Sequence, residues 1–325
     1  MDTIPEQPAG RAVDPASGVP KDTVVAVEGL RMEYGAVRVL DGVDLTVRAG
    51  EIIALLGPNG AGKTTTIEIL EGFRHRSAGR VEVLGRDPEH VGEAWRADLG
   101  VVLQSWRDHG VWRVRELLHH IGRHYAAYAT PERPRPVDTD VLIDRVGLNG
   151  NAQKRVKQLS GGQRRRLDVA IGLVGRPRLL FLDEPSAGLD PQARREFHDL
   201  VHDAVDENDT AVLLTTHDLD EAERLADRIL VLTGGRIVAD GSAEELVLAL
   251  GGDSEVVWSV DGRRNVHSTR EPARFVADLY AEHGDAVADL RVGRATLEDV
   301  YMDLVRRHEA GDARSAADEF ERKTR

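Results

Sequence analysis

The sequence predicts an α/β protein built on a mostly parallel sheet, and three stretches carry that prediction. Between residues 51 and 70 an apolar run, a glycine-rich loop and a helix-forming segment follow one another. From 178 to 232 strand-like and helix-like segments alternate over short connections, the pattern of a parallel sheet flanked by helices. Ahead of both, residues 24–47 read as antiparallel strands separated by turn residues.

Taken in order, residues 1–22 are polar and proline-dotted and read as a disordered lead-in. Val24–Val27, Val37–Leu40 and Val43–Val47 are the antiparallel strands, with turns expected at Tyr34-Gly35 and Asp41-Gly42. After the glycine loop, Gly79–Gly85 is a short alternating strand and Leu99–Gln104 a buried one. Residues from about 106 to 175 form a helical insert, with helices over Arg115–Ala127 and Val137–Val146. Pro131, Pro134 and Pro136 force the link between those two helices to be a loop. Strands Arg178–Leu182, Ala211–Thr215 and Ile229–Leu232 then alternate with helices Pro191–Val205 and Leu219–Ala226. Past Gly251-Gly252 the texture changes. A strand at Val256–Val260 and helices at Pro272–His283 and Thr296–Arg307 suggest a small separate α/β domain over 251–307, with a charged, mobile tail over 308–325.

Composition narrows the function. With 325 residues, 41% apolar and 30% charged, the chain has the make-up of a soluble globular protein with ample core. No apolar run approaches the roughly 18 residues a membrane helix needs, and the first residues lack the apolar centre of a signal peptide. The absence of cysteine excludes disulfides and thiolate metal sites and fits a reducing cytosol. A formal charge of −13 argues against nucleic acid as a partner. The cluster Arg164-Arg165-Arg166 is the one local exception, and as a charge run it reads as a solvated helix face.

The chemistry centres on Gly57-Pro58-Asn59-Gly60-Ala61-Gly62-Lys63-Thr64-Thr65, which fits G-x-x-x-x-G-K-[ST] at every fixed position between a strand and a helix. Glycines let successive backbone N–H groups wrap a phosphate, and the helix adds about half a positive charge at its N-terminus. Lys63 should reach the β- and γ-phosphates of a nucleotide, and the Thr64 hydroxyl should sit on Mg²⁺. Lysine occurs at only five positions (21, 63, 154, 157 and 323) in an arginine-rich chain, so an ammonium at 63 suggests that a guanidinium would not serve there. The competing reading is a glycine-rich turn that binds nothing. Leu179–Leu182 ends in Asp183-Glu184, where Asp183 would hold Mg²⁺ through water and Glu184 would orient or deprotonate the attacking water. Two acids after a strand can also simply cap a helix. Ser160, Gly161, Gly162 and Gln163 open a further helix and offer a second anion site without a lysine of its own, or else a plain capped helix. Together these stretches predict a P-loop NTPase core: a mostly parallel sheet, an antiparallel β subdomain and a helical insert.

At this point the residues resemble the ATP-binding subunits of ABC transporters over about residues 24–250. The phosphate loop, Leu159–Gln163 as signature motif, Leu179–Glu184 as Walker B strand and Ser186–Asp190 as D-loop stand in that family's order. The resemblance implies that Gln104 is the glutamine sensing Mg²⁺ and water and that His217 contacts the γ-phosphate. It also implies that Tyr34 stacks on adenine and that Asp190 crosses an interface between two copies. It implies ATP and Mg²⁺ as cofactors, with each ATP held between the cradle of one copy and Ser160–Gln163 of the other. A narrower resemblance, to bacterial ABC-2-type exporters of the daunorubicin-resistance kind, rests on Glu71-Gly72-Phe73-Arg74, Leu84–Pro88, Val102–Ser105 and Leu297-Glu298-Asp299-Val300-Tyr301. Trp112-Arg113 departs from the Leu-Thr usual before Val-Arg-Glu in that family, and Ser186 replaces its common Thr.

The implied function is a transport-coupled ATPase, cytoplasmic and peripheral on the inner membrane face, that powers export through a separate ABC-2-type permease. The alternative is a soluble ABC ATPase that moves no solute, although the translation type normally carries two motif sets where this chain has one. A P-loop GTPase would need Asn-Lys-x-Asp, which does not occur. For the C-terminal domain the expectation is dimer stabilisation or tuning of coupling.

Overall fold

A computed structural model describes residues 22–103, 109–250, 254–260, 262–269, 271–293 and 296–309. Gln104, residues 1–21 of the lead-in and the tail from 310 lie outside the described residues. In chain order the strands and helices begin with β1 (Thr23–Tyr34), β2 (Val37–Arg48), β3 (Ile52–Leu56), α1 (Lys63–Leu70) and β4 (Ala78–Val83). Next come α2 (Glu93–Arg96), β5 (Leu99–Val102), α3 (Val114–Tyr125), α4 (Thr139–Arg145), α5 (Gly161–Leu173) and β6 (Leu179–Asp183). The sequence continues with α6 (Pro191–Asn208), β7 (Ala211–Thr216), α7 (Leu219–Leu225), β8 (Arg228–Thr233), β9 (Arg236–Gly241) and α8 (Ala243–Leu250). The C-terminal part holds β10 (Ser254–Val260), β11 (Arg263–Thr269), α9 (Pro272–His283), β12 (Ala288–Gly293) and α10 (Leu297–Glu309).

The central sheet has the order β5-β6-β7-β3-β8-β9 and is parallel except for β9. Its middle strand, β3, is buried on both faces, which is why it reads as five unbroken apolar residues. Because successive side chains alternate, Ile52, Ala54 and Leu56 join a core with Leu182 of β6 and with Leu117, Phe197 and Leu225 of the helices. Ile53 and Leu55 join a second core with Val25, Leu45 and Val83 of the antiparallel sheet β2-β1-β4. Burying each such side chain contributes roughly 1.5–3 kcal/mol.

The turn expected at Asp41-Gly42 is absent. Those residues lie inside β2, and the register skips there: Leu30 pairs with Val43, and Arg31 with Asp41. Gly42 is therefore the extra residue of a bulge. The bulge places Leu40 and Val43, three positions apart, on one buried face, where plain alternation would oppose them. The arginine cluster also differs from a solvated face. Arg165 is buried, whereas Arg166 pairs with Glu196 and Arg164 with Asp168.

At the C-terminus β10, β11 and β12 form a three-stranded antiparallel sheet, and Phe275 of α9 packs edge-on against Trp258 of β10. Helix α10 leaves that sheet. Its Leu297, Val300, Tyr301 and Leu304 enter the same core as Ala222, Leu225 and Ile229 of the central domain. Thr296 starts it: the Asp299 carboxylate accepts from the Thr296 backbone N–H at 2.8 Å, and the Thr296 hydroxyl accepts the Asp299 N–H at 3.2 Å. Every apolar residue of Leu297-Glu298-Asp299-Val300-Tyr301 is thus buried, and Asp299 secures the helix start. Among the described residues no helix is long and apolar enough to cross a membrane.

Candidate functional site

The glycine loop leaves the C-terminal end of β3, at the centre of the parallel sheet, where such folds open a ligand crevice. Two of its glycines are required by what lies behind the loop. A Cβ on Gly57 would collide with the Leu232 carbonyl of β8, and one on Gly62 (φ +107°) would stand 2.6 Å from Leu40 Cδ2 of β2. The loop is seated against both β layers, and α1 begins directly with Lys63.

Lys63 is 5% exposed. Its Nζ donates to the carbonyls of Gly57 at 2.7 Å and Pro58 at 3.2 Å and lies 3.9 Å from Glu184 Oε1. Burial pushes this ammonium down from its usual range, and the charges of Glu184 and Asp183 pull it back up. Thr64 Oγ1 lies 3.5 Å from Asp183 Oδ1, which also accepts the Thr215 hydroxyl at 2.6 Å. Glu184 follows with positive φ (+42°), its N–H donating to Thr215 Oγ1 at 3.0 Å and to Thr215 O at 3.1 Å. This backbone turn rules out the reading of Asp183-Glu184 as a helix cap, since the next helix begins at Pro191 with Asp190 as its cap. His217 Nδ1 lies 3.2 Å from Glu184 Oε1. Lys63, Thr64, Asp183, Glu184 and His217 therefore converge although 154 positions separate the first from the last (217 − 63).

The other described candidates make contacts of their own. Ser160 and Gln163 form a reciprocal cap on α5: Ser160 Oγ accepts the Gln163 N–H at 3.3 Å, and Gln163 Oε1 accepts the Ser160 N–H at 3.1 Å. Gly162 faces Ala193 of α6, where an added Cβ would stand 3.1 Å from the alanine methyl. Asp190 caps α6, its Oδ1 accepting from Gln192 and Ala193. Tyr34 ends β1 half exposed, with the Arg74 guanidinium 5.3 Å above its ring. Gln104 lies outside the described residues.

Sequence reading missed Arg165, Thr215 and Glu71. The Arg165 guanidinium donates to the carbonyls of Pro185 (2.6 Å), Leu103 (2.6 Å) and Asp183 (3.2 Å), fixing the end of β6 to the segment that leaves β5. Its spacing from Val169 and Gly172, at i+4 and i+7 on one helix face, was the available signal. Glu71, at the end of α1, is 3% exposed, and burial, with Asp183 and Glu68 adding to it, raises its carboxyl to about 8. It lines an apolar cavity of about 300 Å³ with Phe73, Leu103, Ile121 and Tyr125.

A buried lysine and a threonine that open a helix after a glycine loop, facing an Asp–Glu pair at the end of a parallel strand two places away in the sheet, define a P-loop nucleoside triphosphatase. The family described as ABC transporter matches residues 40–187. The chain is 43% identical to the daunorubicin resistance ATP-binding protein DrrA3 of Streptomyces coeruleorubidus, over 87% of this chain and 96% of that one. It is 36% identical to the Nod factor export ATP-binding protein I of Ralstonia nicotianae, over 90% and 97% of the two chains. Among solved structures, CbiO1 of Clostridium perfringens, part of the CbiONQ ABC transporter complex, is 27% identical, with a TM-score of 0.61 over 70% of this chain and 92% of that one. The chain belongs to the ATP-binding proteins of ABC transporters, and it is an ATPase.

Proposed function

We propose that two copies of this chain close head to tail around two ATP molecules and power export of a solute through a separate ABC-2-type membrane subunit. In this reading the protein is peripheral on the inner face of the membrane. One observation carries the reading. The lysine cradle and its carboxylates are assembled within the chain, while Ser160–Gln163 sits at α6, with no hydrogen bond to the cradle among the described residues. A second copy would bring that helix tip to the γ-phosphate and complete the cage. The daunorubicin-resistance and Nod factor export names of relatives aligned over most of the chain support export of a drug or lipid-like compound.

The residues present fit both implied groups. Thr64 and Asp183 offer hard oxygens 3.5 Å apart, the donor type Mg²⁺ takes, and Lys63 and the loop amides offer positive charge to phosphate. Bound there, Mg²⁺ would neutralise charge on the β- and γ-phosphates. Glu184 would orient the attacking water and accept its proton, and His217 would contact the γ-phosphate. Tyr34 would stack on the base once Arg74 swings aside, and Gln104 would sense water and metal.

The test is Glu184→Gln. It should bind ATP, lose roughly 10²–10⁴ in turnover and sediment as a dimer with ATP. Near wild-type hydrolysis would remove Glu184 from its role. Co-purification from membranes with a multi-helix protein supports the transport part, and association with ribosomes instead would overturn it.

A further inference from the structure

Tyr34 and Arg74 are distant in sequence, and the way α1 ends brings them together. The helix stops in a left-handed glycine turn: Gly72 (φ +75°) donates its N–H to Ile69 O at 3.1 Å, and Phe73 N–H donates to Glu68 O at 2.9 Å. A larger residue would not fit, because a Cβ at 72 would stand 2.6 Å from the Pro88 carbonyl oxygen. Arg74 N–H reaches the same Glu68 oxygen at 3.0 Å, so residue 74 is drawn back to the helix it has just left. Three residues on, Ser77 fastens the chain to the end of β1. Its N–H donates to Arg31 O at 2.9 Å, and its hydroxyl accepts the Glu33 N–H at 2.9 Å.

The side chains complete the arrangement. Glu68 Oε2 accepts from Arg74 Nε at 2.6 Å, and both side chains are about one-third exposed. At that exposure an ion pair by itself stabilises little. Its effect is to aim the guanidinium, whose carbon lies 5.3 Å from the centre of the Tyr34 ring. Glu68 therefore holds residue 74 twice, by its carbonyl and by its carboxylate. Tyr34 is 42% exposed and belongs to neither core, so the cation on its ring fills no gap in the packing. A base stacked on that ring and a guanidinium held over it claim the same space.

We propose that Arg74 competes with the base of ATP for the Tyr34 ring and so loosens the site's hold on the base without loosening its hold on the triphosphate. The inference rests on the stacking reading of Tyr34. A cation over an exposed ring is worth about 2–5-fold in an equilibrium, and the base must displace it before stacking. The triphosphate is gripped elsewhere, by Lys63 and the loop amides, and does not share that cost.

The experiment titrates the full chain with ATP and with inorganic tripolyphosphate, each displacing a ribose-labelled fluorescent ATP analogue. It compares wild type, Arg74→Ala, Tyr34→Ala and the double variant; both side chains lie outside the cores, so neither substitution threatens folding. The ratio of the two affinities isolates the base, since the charge of Arg74 acts on both ligands. Arg74→Ala should raise that ratio about 2–5-fold. Tyr34→Ala should lower it by at least about 5-fold, the loss of one stacked base. Without the ring Arg74 has nothing to cover, so the double variant should match Tyr34→Ala within about 1.5-fold. If Tyr34→Ala lowers the ratio but Arg74→Ala leaves it unchanged or lowers it, the proposal is overturned and the stacking reading stands. An Arg74→Ala gain that persists in the double variant overturns it as well. An unchanged ratio in Tyr34→Ala defeats the stacking reading itself, and the proposal with it.

Discussion

Glu71→Gln tests whether the site environment holds a neutral acid at the far end of the helix that starts with Lys63. Glu71 is 3% exposed, and its carboxyl is raised from an ordinary 4.5 to about 8, first by burial and then by the charges of Asp183 and Glu68. Between those two values the folded chain keeps a proton that the unfolded chain has lost, so stability must fall as pH rises through that window. The stabilisation is full below about pH 4.5 and gone above about pH 8. A difference of 8 − 4.5 at 1.36 kcal/mol per unit gives a cost of about 4–5 kcal/mol above pH 8. Glutamine keeps the shape and removes the titration. In urea unfolding followed by tryptophan fluorescence, the two proteins should agree within about 1 kcal/mol at pH 5, and the variant should gain by about 4 kcal/mol at pH 8.5. A stability difference that does not change between those pH values would show that Glu71 titrates normally, and the account of its burial would be wrong.

Further expectations concern single contacts. Thr215→Val removes the hydroxyl that donates to Asp183 Oδ1 at 2.6 Å and accepts the Glu184 N–H. It should raise the Mg²⁺ concentration needed for half-maximal hydrolysis about 10-fold, and an unchanged Mg²⁺ curve would refute that placement. Leu304→Ala empties a site in the shared core and should cost about 2–4 kcal/mol in unfolding free energy. A loss below about 0.5 kcal/mol would show that α10 does not pack on the central domain. Arg165→Met should lower kcat by releasing the Asp183 and Pro185 carbonyls, with circular dichroism unchanged; retention of full kcat would make the clamp irrelevant to turnover.

The chemistry was legible wherever the backbone alone dictates it. Gly57–Thr65, Asp183 and Glu184 announce themselves by residue type and local spacing, and the structure joins them. The apolar strands Ile52–Leu56, Leu179–Asp183 and Ala211–Thr216 were equally clear, because strands buried on both faces need unbroken apolar runs. Less visible were features set by distant partners. Gly42 looks like a turn until β1 is placed beside it, and Arg165 looks solvated until the ends of β5 and β6 arrive. Strands β11 and β12 are too polar and exposed for period-two reading, and β9, which pairs antiparallel with β8 after Gly234-Gly235, was not anticipated. Helix α10 shows an apolar stripe in the sequence, but nothing local says whether β10 or α7 and β8 will cover it.

A mixing experiment bears most directly on the shared site. Lys63→Ala disables the cradle of one copy, and Ser160→Phe disables the helix tip of another; each protein alone should be inactive. In a mixed dimer one composite site pairs an intact Lys63 with an intact Ser160. Random pairing makes half the dimers mixed, each with one working site of two, so an equal mixture should recover about a quarter of wild-type hydrolysis. A mixture as inactive as its components would contradict the shared site, because nucleotide would then be served by one chain alone.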